Sequence, residues 1–229
     1  LFDKGDVEVI VSNYKDNTFL PQSLIEEIEY LQQTDPEFWK VYGLGEYGRK
    51  HGLIFDNYKV CEAIPETAKL IAYGKDFGFT NDPTTLIAVY RNDGELFLKE
   101  LIYERNLTNQ DISERYRVLN IDKYVDIIAD SAEPKSIEEL VRLGWRVIPA
   151  EKGADSIKNG IDILKRFKIN ITQDSPNLLK EFRSYKWADD KDGKPTNKPI
   201  DFFNHCMDAV RYVALIKLSE AATGWYSVK

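Results

Sequence analysis

A chain of 229 residues with 43% hydrophobic and 12% aromatic content can bury one large domain, or one domain with an appendage. Its formal net charge of -7 excludes coating of nucleic acid by charge alone, so any phosphate contact must be local. No apolar run approaches the roughly 18 to 20 residues of a membrane helix, LFDKGDVEVI has no signal-peptide pattern, and Cys61 and Cys206 form no CxxC pair, so an intracellular protein with reduced packing thiols is expected. Met207 is the only methionine and Leu1 the first residue, from which a piece of a longer chain is expected.

Residues 1–64 read as an N-terminal segment, the tail or linker of a preceding domain. It holds a short strand signal at VEVIV, a helix PQSLIEEIEYLQQ opened by Pro21, and a second short helix over 35–42. Gly43, Gly45 and Gly48 have GxGxxG spacing, but they follow a helix instead of a strand, so the stretch is read as a connecting turn. From Leu70 the apolar runs LIAYGKDFG, TTLIAVYR and ELFLKELIY, split by NDP and by the Asn92-Asp93-Gly94 turn, predict three antiparallel strands. The period then changes. TNQDISERYRVLN predicts a helix with Thr108 as N-cap, YVDIIAD a short buried strand, and EPKSIEELVRLG a helix opened by Pro134 and closed by Gly144. WRVIPA and KINIT predict strands, and DSIKNGIDILKRF and NLLKEFRSY helices. Residues 185–200 read as a protruding hairpin around Asp192-Gly193. A last helix is expected from Asp201 as N-cap, with Phe203, Met207, Val210, Ala214 and Leu218 at core-facing spacing, and 223–229 as a tail. This order is that of an α/β, ribonuclease-H-like mixed sheet, three antiparallel strands followed by alternating helices and strands, flanked by helices.

Three acids interrupt this pattern at places where chemistry would sit. Asp76 is expected at or near the centre of the first apolar strand, where a core-facing carboxylate costs desolvation energy unless a cation or hydrogen bonds offset it; the alternative is an edge or turn aspartate before Gly78. Asp130 ends a strand, where ligand sites gather in parallel sheets, though it can equally cap the following helix together with Ser131 or Glu133. Asp208 shares a helix face with His205 three residues earlier; the alternative is a surface acid paired with Arg211. Together they suit hard, oxygen-loving cations, magnesium or manganese. In a two-metal site such ions lie roughly 3.5 to 4 Å apart and drive an in-line phosphodiester displacement.

The runs AYGKDFGFTNDPTTLIAVY, IIADSAEPKSIEEL, GWRVIPAEKGADSIKNGI and NHCMDAVRY occur in an order that resembles the nuclease domain at the C-terminal end of the large terminase subunit of tailed phages. The resemblance covers roughly residues 65 to 220, and 65–222 are taken as that domain. It implies a manganese- or magnesium-dependent endonuclease that cuts concatemeric viral DNA in the infected host cytoplasm, with Asp76, Asp130 and Asp208 as metal ligands of two ions and His205 near them. It also implies double-stranded DNA, a packaging ATPase domain of the same subunit, a small terminase subunit and a portal protein as partners, and no membrane. No GxxxxGK[ST] phosphate loop occurs, so ATP hydrolysis is not expected of this piece. The rivals are a junction resolvase or hybrid-directed ribonuclease of the same fold, and a non-catalytic DNA-binding or assembly module.

Lys152, Lys158, Lys165 and Arg166 after the fifth strand, and Lys191, Lys194 and Lys198 in the hairpin, are candidate DNA contacts, with Lys152 foremost; the alternative for each is a solvated surface lysine or arginine. The hairpin can instead limit access to the site.

Overall fold

Alternating and continuous apolar runs become strands of one seven-stranded sheet, seen in a computed structural model that describes residues 12–34, 39–45, 52–190 and 195–219. Two compact units form, Leu1–His51 and Gly52–Lys229. In the first, Asn13 caps the turn Tyr14–Asp16 by accepting from the Lys15 amide at 2.9 Å, and the helix α1 (Gln22–Thr34) starts directly after Pro21. Trp39–Gly43 forms a π-helical turn where the second short helix was expected; residues 35–38, the VEVIV signal and Gly48 lie outside the described residues.

The second unit carries the sheet. Its strands are β1 (Lys59–Cys61), β2 (Lys69–Asp76), β3 (Thr84–Asn92), β4 (Glu95–Glu104), β5 (Ile127–Asp130), β6 (Val147–Ala150) and β7 (Lys168–Thr172), in the order β1-β7-β4-β3-β2-β5-β6. The expected antiparallel meander β2-β3-β4 forms the middle, with β5 and β6 added parallel on one side and β7 and β1 on the other. Asp93 (φ 43°) and Gly94 (φ 83°) are both left-handed between β3 and β4, the backbone a two-residue hairpin turn requires. β1 had no signal in the sequence, because three residues are too few to show a period.

Helices α2 (Asn109–Val118) and α3 (Pro134–Arg142) cover one face, and α4 (Ser156–Leu164), α5 (Pro176–Ser184) and α6 (His205–Val213) cover the other. α2 starts with a reciprocal cap, in which the Thr108 hydroxyl accepts from the Asp111 amide and the Asp111 carboxylate from the Thr108 amide. On that side Tyr116 meets Trp145 edge-on at 5.0 Å, and the indole N–H donates to Ser113 Oγ at 2.8 Å. On the other, Ile87, Leu98, Ile171, Met207 and Val210 form part of the larger core, where Leu98→Ala would cost roughly 2 to 5 kcal/mol.

Two expectations change. The last helix starts at His205, not after Asp201: Phe203 is left-handed (φ 49°) and breaks the run, while Asn204 Nδ2 donates to Asp201 Oδ1 at 3.1 Å. Phe203, Met207, Val210, Ala214 and Leu218 are nonetheless all buried, the last two in a π-helical continuation, Ala214–Leu218. Asp76 ends β2 instead of occupying its centre, because the chain turns at Gly78, whose carbonyl accepts from Thr84 Oγ1 at 2.7 Å. The hairpin forms as β8 (Trp187–Asp189) and β9 (Pro195–Pro199), but Lys191, Asp192, Gly193 and Lys194 lie outside the described residues. Cys61 and Cys206 are free, and among the described residues no helix is long and apolar enough to cross a membrane.

Candidate metal centre

β2 and β5 run parallel as neighbours, paired at Tyr73 with Ile127, Gly74 with Ile128 and Lys75 with Ala129. One step further along that register sets Asp76 level with Asp130, both at the carboxyl ends of their strands, where connecting loops leave room for a ligand. The helix α6 lies across β2, β3 and β5. Its close approach depends on Gly74: a Cβ there would stand 2.1 Å from the Ala209 carbonyl oxygen. The helix brings His205 and Asp208, one turn apart, over the strand ends.

His205 Nδ1–H donates to Asp76 Oδ2 at 3.1 Å, while Nε2 points towards Asp82 on the β2-β3 loop, 3.6 Å away and too far for a hydrogen bond. Burial raises the Asp76 carboxyl above the usual carboxylate range, against the bond to His205, and the Asp130 charge adds to the rise. Burial alone would lower His205, but the bond to Asp76 and the charges of Asp76, Glu181 and Asp82 outweigh it and hold the imidazole above its ordinary value. Burial also pushes Asp208 up to about 6, opposed by Arg211 and assisted by Asp76. Asp130 goes the other way. Burial pushes it up, but Lys152 Nζ at 2.6 Å from Oδ1, the Ala132 amide at 2.8 Å and the Tyr212 hydroxyl at 3.3 Å more than offset this, and it falls below its ordinary value.

Asp76 therefore senses Asp130, Asp208 senses Asp76, and each of the three acids also holds a basic partner: Asp76 with His205, Asp130 with Lys152, Asp208 with Arg211. Among the described residues no three His, Cys, Asp or Glu side chains converge closely enough to hold a metal ion. The donor chemistry nevertheless fits one. These are hard carboxylate oxygens, and two of them, Asp76 and Asp208, are shifted towards the neutral form, a cost that a divalent cation beside them would offset. The Asp208–Arg211 pair weighed from the sequence does form, but Arg211 is buried and Asp208 half-buried, so it is not a surface pair.

The basic candidates separate. Lys152 lies on Asp130 and over the Tyr212 ring at 5.1 Å. Lys158 and Lys198 line a groove of about 550 Å³ that Asp208, Arg211 and Tyr185 also line, so a phosphate backbone lying there would meet both lysines beside Asp208. Lys165 stacks over Trp187 and Arg166 is exposed past the end of α4, and neither lines that groove. Lys194 lies outside the described residues. Gly74, Tyr212 and Glu181 were missed. Tyr212 was accessible in principle as the residue four after Asp208 on one helix face, whereas Gly74 and Glu181 give no local signal.

Comparison with known proteins bears on the same residues. The family described as Terminase RNAseH like domain matches residues 76–215, and the family described as Phage terminase large subunit matches residues 1–46. The chain is 27% identical over 219 residues to the PBSX phage terminase large subunit of Bacillus subtilis (strain 168), across 91% of this chain and 50% of that protein. The g2p (large terminase) nuclease domain of bacteriophage SPP1, solved with bound Mn, is similar with a TM-score of 0.62 and 29% identity, over 69% of this chain and 95% of that one. The large terminase of the thermophilic bacteriophage D6E, in complex with ADP, has a TM-score of 0.61 and 25% identity, over 90% of this chain and 54% of that one. The chain spans about half the length of the curated relatives it matches. These likenesses bear out the ribonuclease-H-like mixed sheet expected from the element order.

Proposed function

The chain belongs to the terminase RNase-H-like domain family, and from that premise we propose that it is a manganese- or magnesium-dependent DNA endonuclease that cuts concatemeric viral DNA during packaging in the infected host cytoplasm. The observation that carries the reading is that Asp76 and Asp130 stand level at the carboxyl ends of two parallel strands with Asp208 above them on α6, and that burial pushes Asp76 and Asp208 towards the neutral form. The Mn bound to the SPP1 nuclease domain, at 29% identity, supports the use of a divalent cation.

When bound, a pair of such ions would supply Lewis-acid stabilisation of the charge that develops on the phosphodiester oxygens. The rest falls to the chain. Asp76, Asp130 and Asp208 would hold the cations, with Lys152 and Arg211 giving up their places on Asp130 and Asp208. His205, fixed through Nδ1 by Asp76, turns Nε2 towards Asp82 and the β2-β3 loop, where it would pass a proton. Lys158 and Lys198 seat the backbone in the groove beside Asp208, with the β8-β9 hairpin above it either as a contact or as a gate. Residues 1–51 are read as the end of the packaging ATPase domain, since 52–64 carry β1 and core residues of the sheet unit, and that domain, the small terminase subunit and the portal protein as partners.

Nicking and linearisation of supercoiled plasmid in manganese, magnesium and EDTA tests this. Metal-dependent cleavage should fall by at least about a thousand-fold in each of Asp76→Ala, Asp130→Ala and Asp208→Ala with folding retained, since the lost stabilisation is several kcal/mol. Cleavage that resists EDTA would sink the reading, and survival in one variant would remove that residue. The ion pairs that now occupy each acid favour one rival, a module that binds DNA without cutting; metal-independent binding with no cleavage by the parent chain would select it.

A further inference from the structure

Two helices that lead to the site begin without a cap of their own. Ser175 precedes α5 and Asn204 precedes α6, and neither side chain caps its helix, although the first N–H groups of any helix have no partner within it. A glutamate from a neighbouring element acts in each case. From β4, Glu100 Oε2 accepts from the Leu178 amide at 2.8 Å, Oε1 accepts from Asn177 Nδ2 at 2.6 Å, and the Glu100 amide donates to Ser175 Oγ at 2.9 Å. From α5, Glu181 Oε2 accepts from the Met207 amide at 3.0 Å. Leu178 and Met207 are each the third residue of their helix, the position a normal N-cap side chain would serve.

Glu181 is 1% exposed, and its Oε1 has no hydrogen-bond partner. An acid buried there with one oxygen unpartnered costs the fold stability, and a positioning role accounts for its presence. The amide it holds lies between His205 and Asp208. We propose that Glu181 is a positioning residue of the metal site: from α5 it fixes the first turn of α6, which sets His205 against Asp76 and Asp208 over the strand ends, while Glu100 fixes α5 in turn. The proposal rests on the metal-site reading above. Its working part is the reach of an acceptor oxygen to Met207, not a negative charge. Burial pushes the Glu181 carboxyl up to about 8, towards the neutral acid, which an amide of the same length imitates. An aspartate is shorter by about 1.5 Å and cannot span the gap.

The test compares Glu181→Gln with Glu181→Asp in the full 229-residue chain. Two readouts are used: Mn2+ affinity from the electron paramagnetic resonance signal of free ion, and the imidazole resonances of the metal-free protein. The chain has two histidines, so His51→Gln assigns them. Glu181→Gln should keep the His205 resonance and hold Mn2+ within about twofold, whereas Glu181→Asp should shift the resonance and weaken Mn2+ by about 10- to 100-fold, the range for partners that orient metal ligands. A folded Glu181→Asp with both readouts unchanged overturns the proposal. So does a Glu181→Gln that loses as much as the aspartate, since charge would then be the working part. If Glu181→Asp does not fold, Glu181→Gln decides alone, with retained affinity supporting the proposal and lost affinity overturning it. If the parent chain binds no Mn2+, the metal reading fails, and the His205 resonance still decides the role of Glu181.

Discussion

Lys75 and Asp76 are neighbours on β2 that point to opposite faces of the sheet, and both are buried ionisable groups. Lys75 enters the face covered by α2 and α3. Its Nζ has no hydrogen-bond partner and rests 4.3 Å from the centre of the Phe77 ring, and burial lowers it to about 7. Asp76 enters the α6 face, where it meets His205 and senses Asp130. Both groups are displaced from their ordinary values by the same cause, desolvation. What distinguishes them is company, since among the described residues Asp76 has Asp130 from β5 and Asp208 from α6 within reach of its charge, and Lys75 has the Phe77 ring. Perturbation alone does not mark a site; perturbation among convergent groups does.

The largest test of that contrast is Gly74→Ala, which loads the α6 face without touching any acid. The Ala209 carbonyl would have to retreat by about 1 Å, a displacement that can cost roughly a hundred-fold in a positioned reaction. Cleavage should fall on that scale, and urea denaturation should show a stability loss of about 1 to 3 kcal/mol. Normal cleavage from a folded Gly74→Ala would mean that the close seating of α6 is not needed.

Lys75→Met probes the opposite face. The folded lysine lies at about 7 against an ordinary 10.5, so between those values the unfolded chain binds more protons and stability rises with pH. The penalty is full below about pH 7 and gone above about 10.5. The variant should lose that slope and gain on the order of 1 to 4 kcal/mol at neutral pH, read from denaturation midpoints at pH 7 and 9, with cleavage kept. A stabilised variant that no longer cleaves would break the comparison and bring Lys75 into the site through its charge on Asp76.

The smallest expected effect is at Lys152, which holds Asp130 in a partly exposed pair. Such pairs contribute about 0.2 to 1 kcal/mol, so Lys152→Met should tighten Mn2+ by no more than about fivefold in titration. If Mn2+ binding is unchanged and DNA binding drops, the lysine serves the phosphate backbone and not the acid.

Much was legible in the sequence because its signals are local. Period-two runs and the Asp93-Gly94 turn announced the meander, Thr108 and Pro134 announced helix starts, and Asp76 stood out against its apolar neighbours, although it was expected near the centre of the strand that it ends. The Asp76, Asp130, Asp208 and His205 set followed from those signals and from the resemblance. The start of α6 did not, since Asp201 is as good a cap as any until Phe203 is seen to adopt a left-handed backbone.

By itself, then, the sequence determined the order of elements and which residue types were available for chemistry, because propensity, periodicity and turn geometry act over a few residues. Tertiary structure alone decided which of them meet. His205 reaches Asp76 across 129 positions, Tyr212 reaches Asp130 across 82, and Glu181 reaches Met207 across 26. Such contacts carry no period along the chain, and they arise only once the sheet register and the seating of α6 on Gly74 bring the elements together.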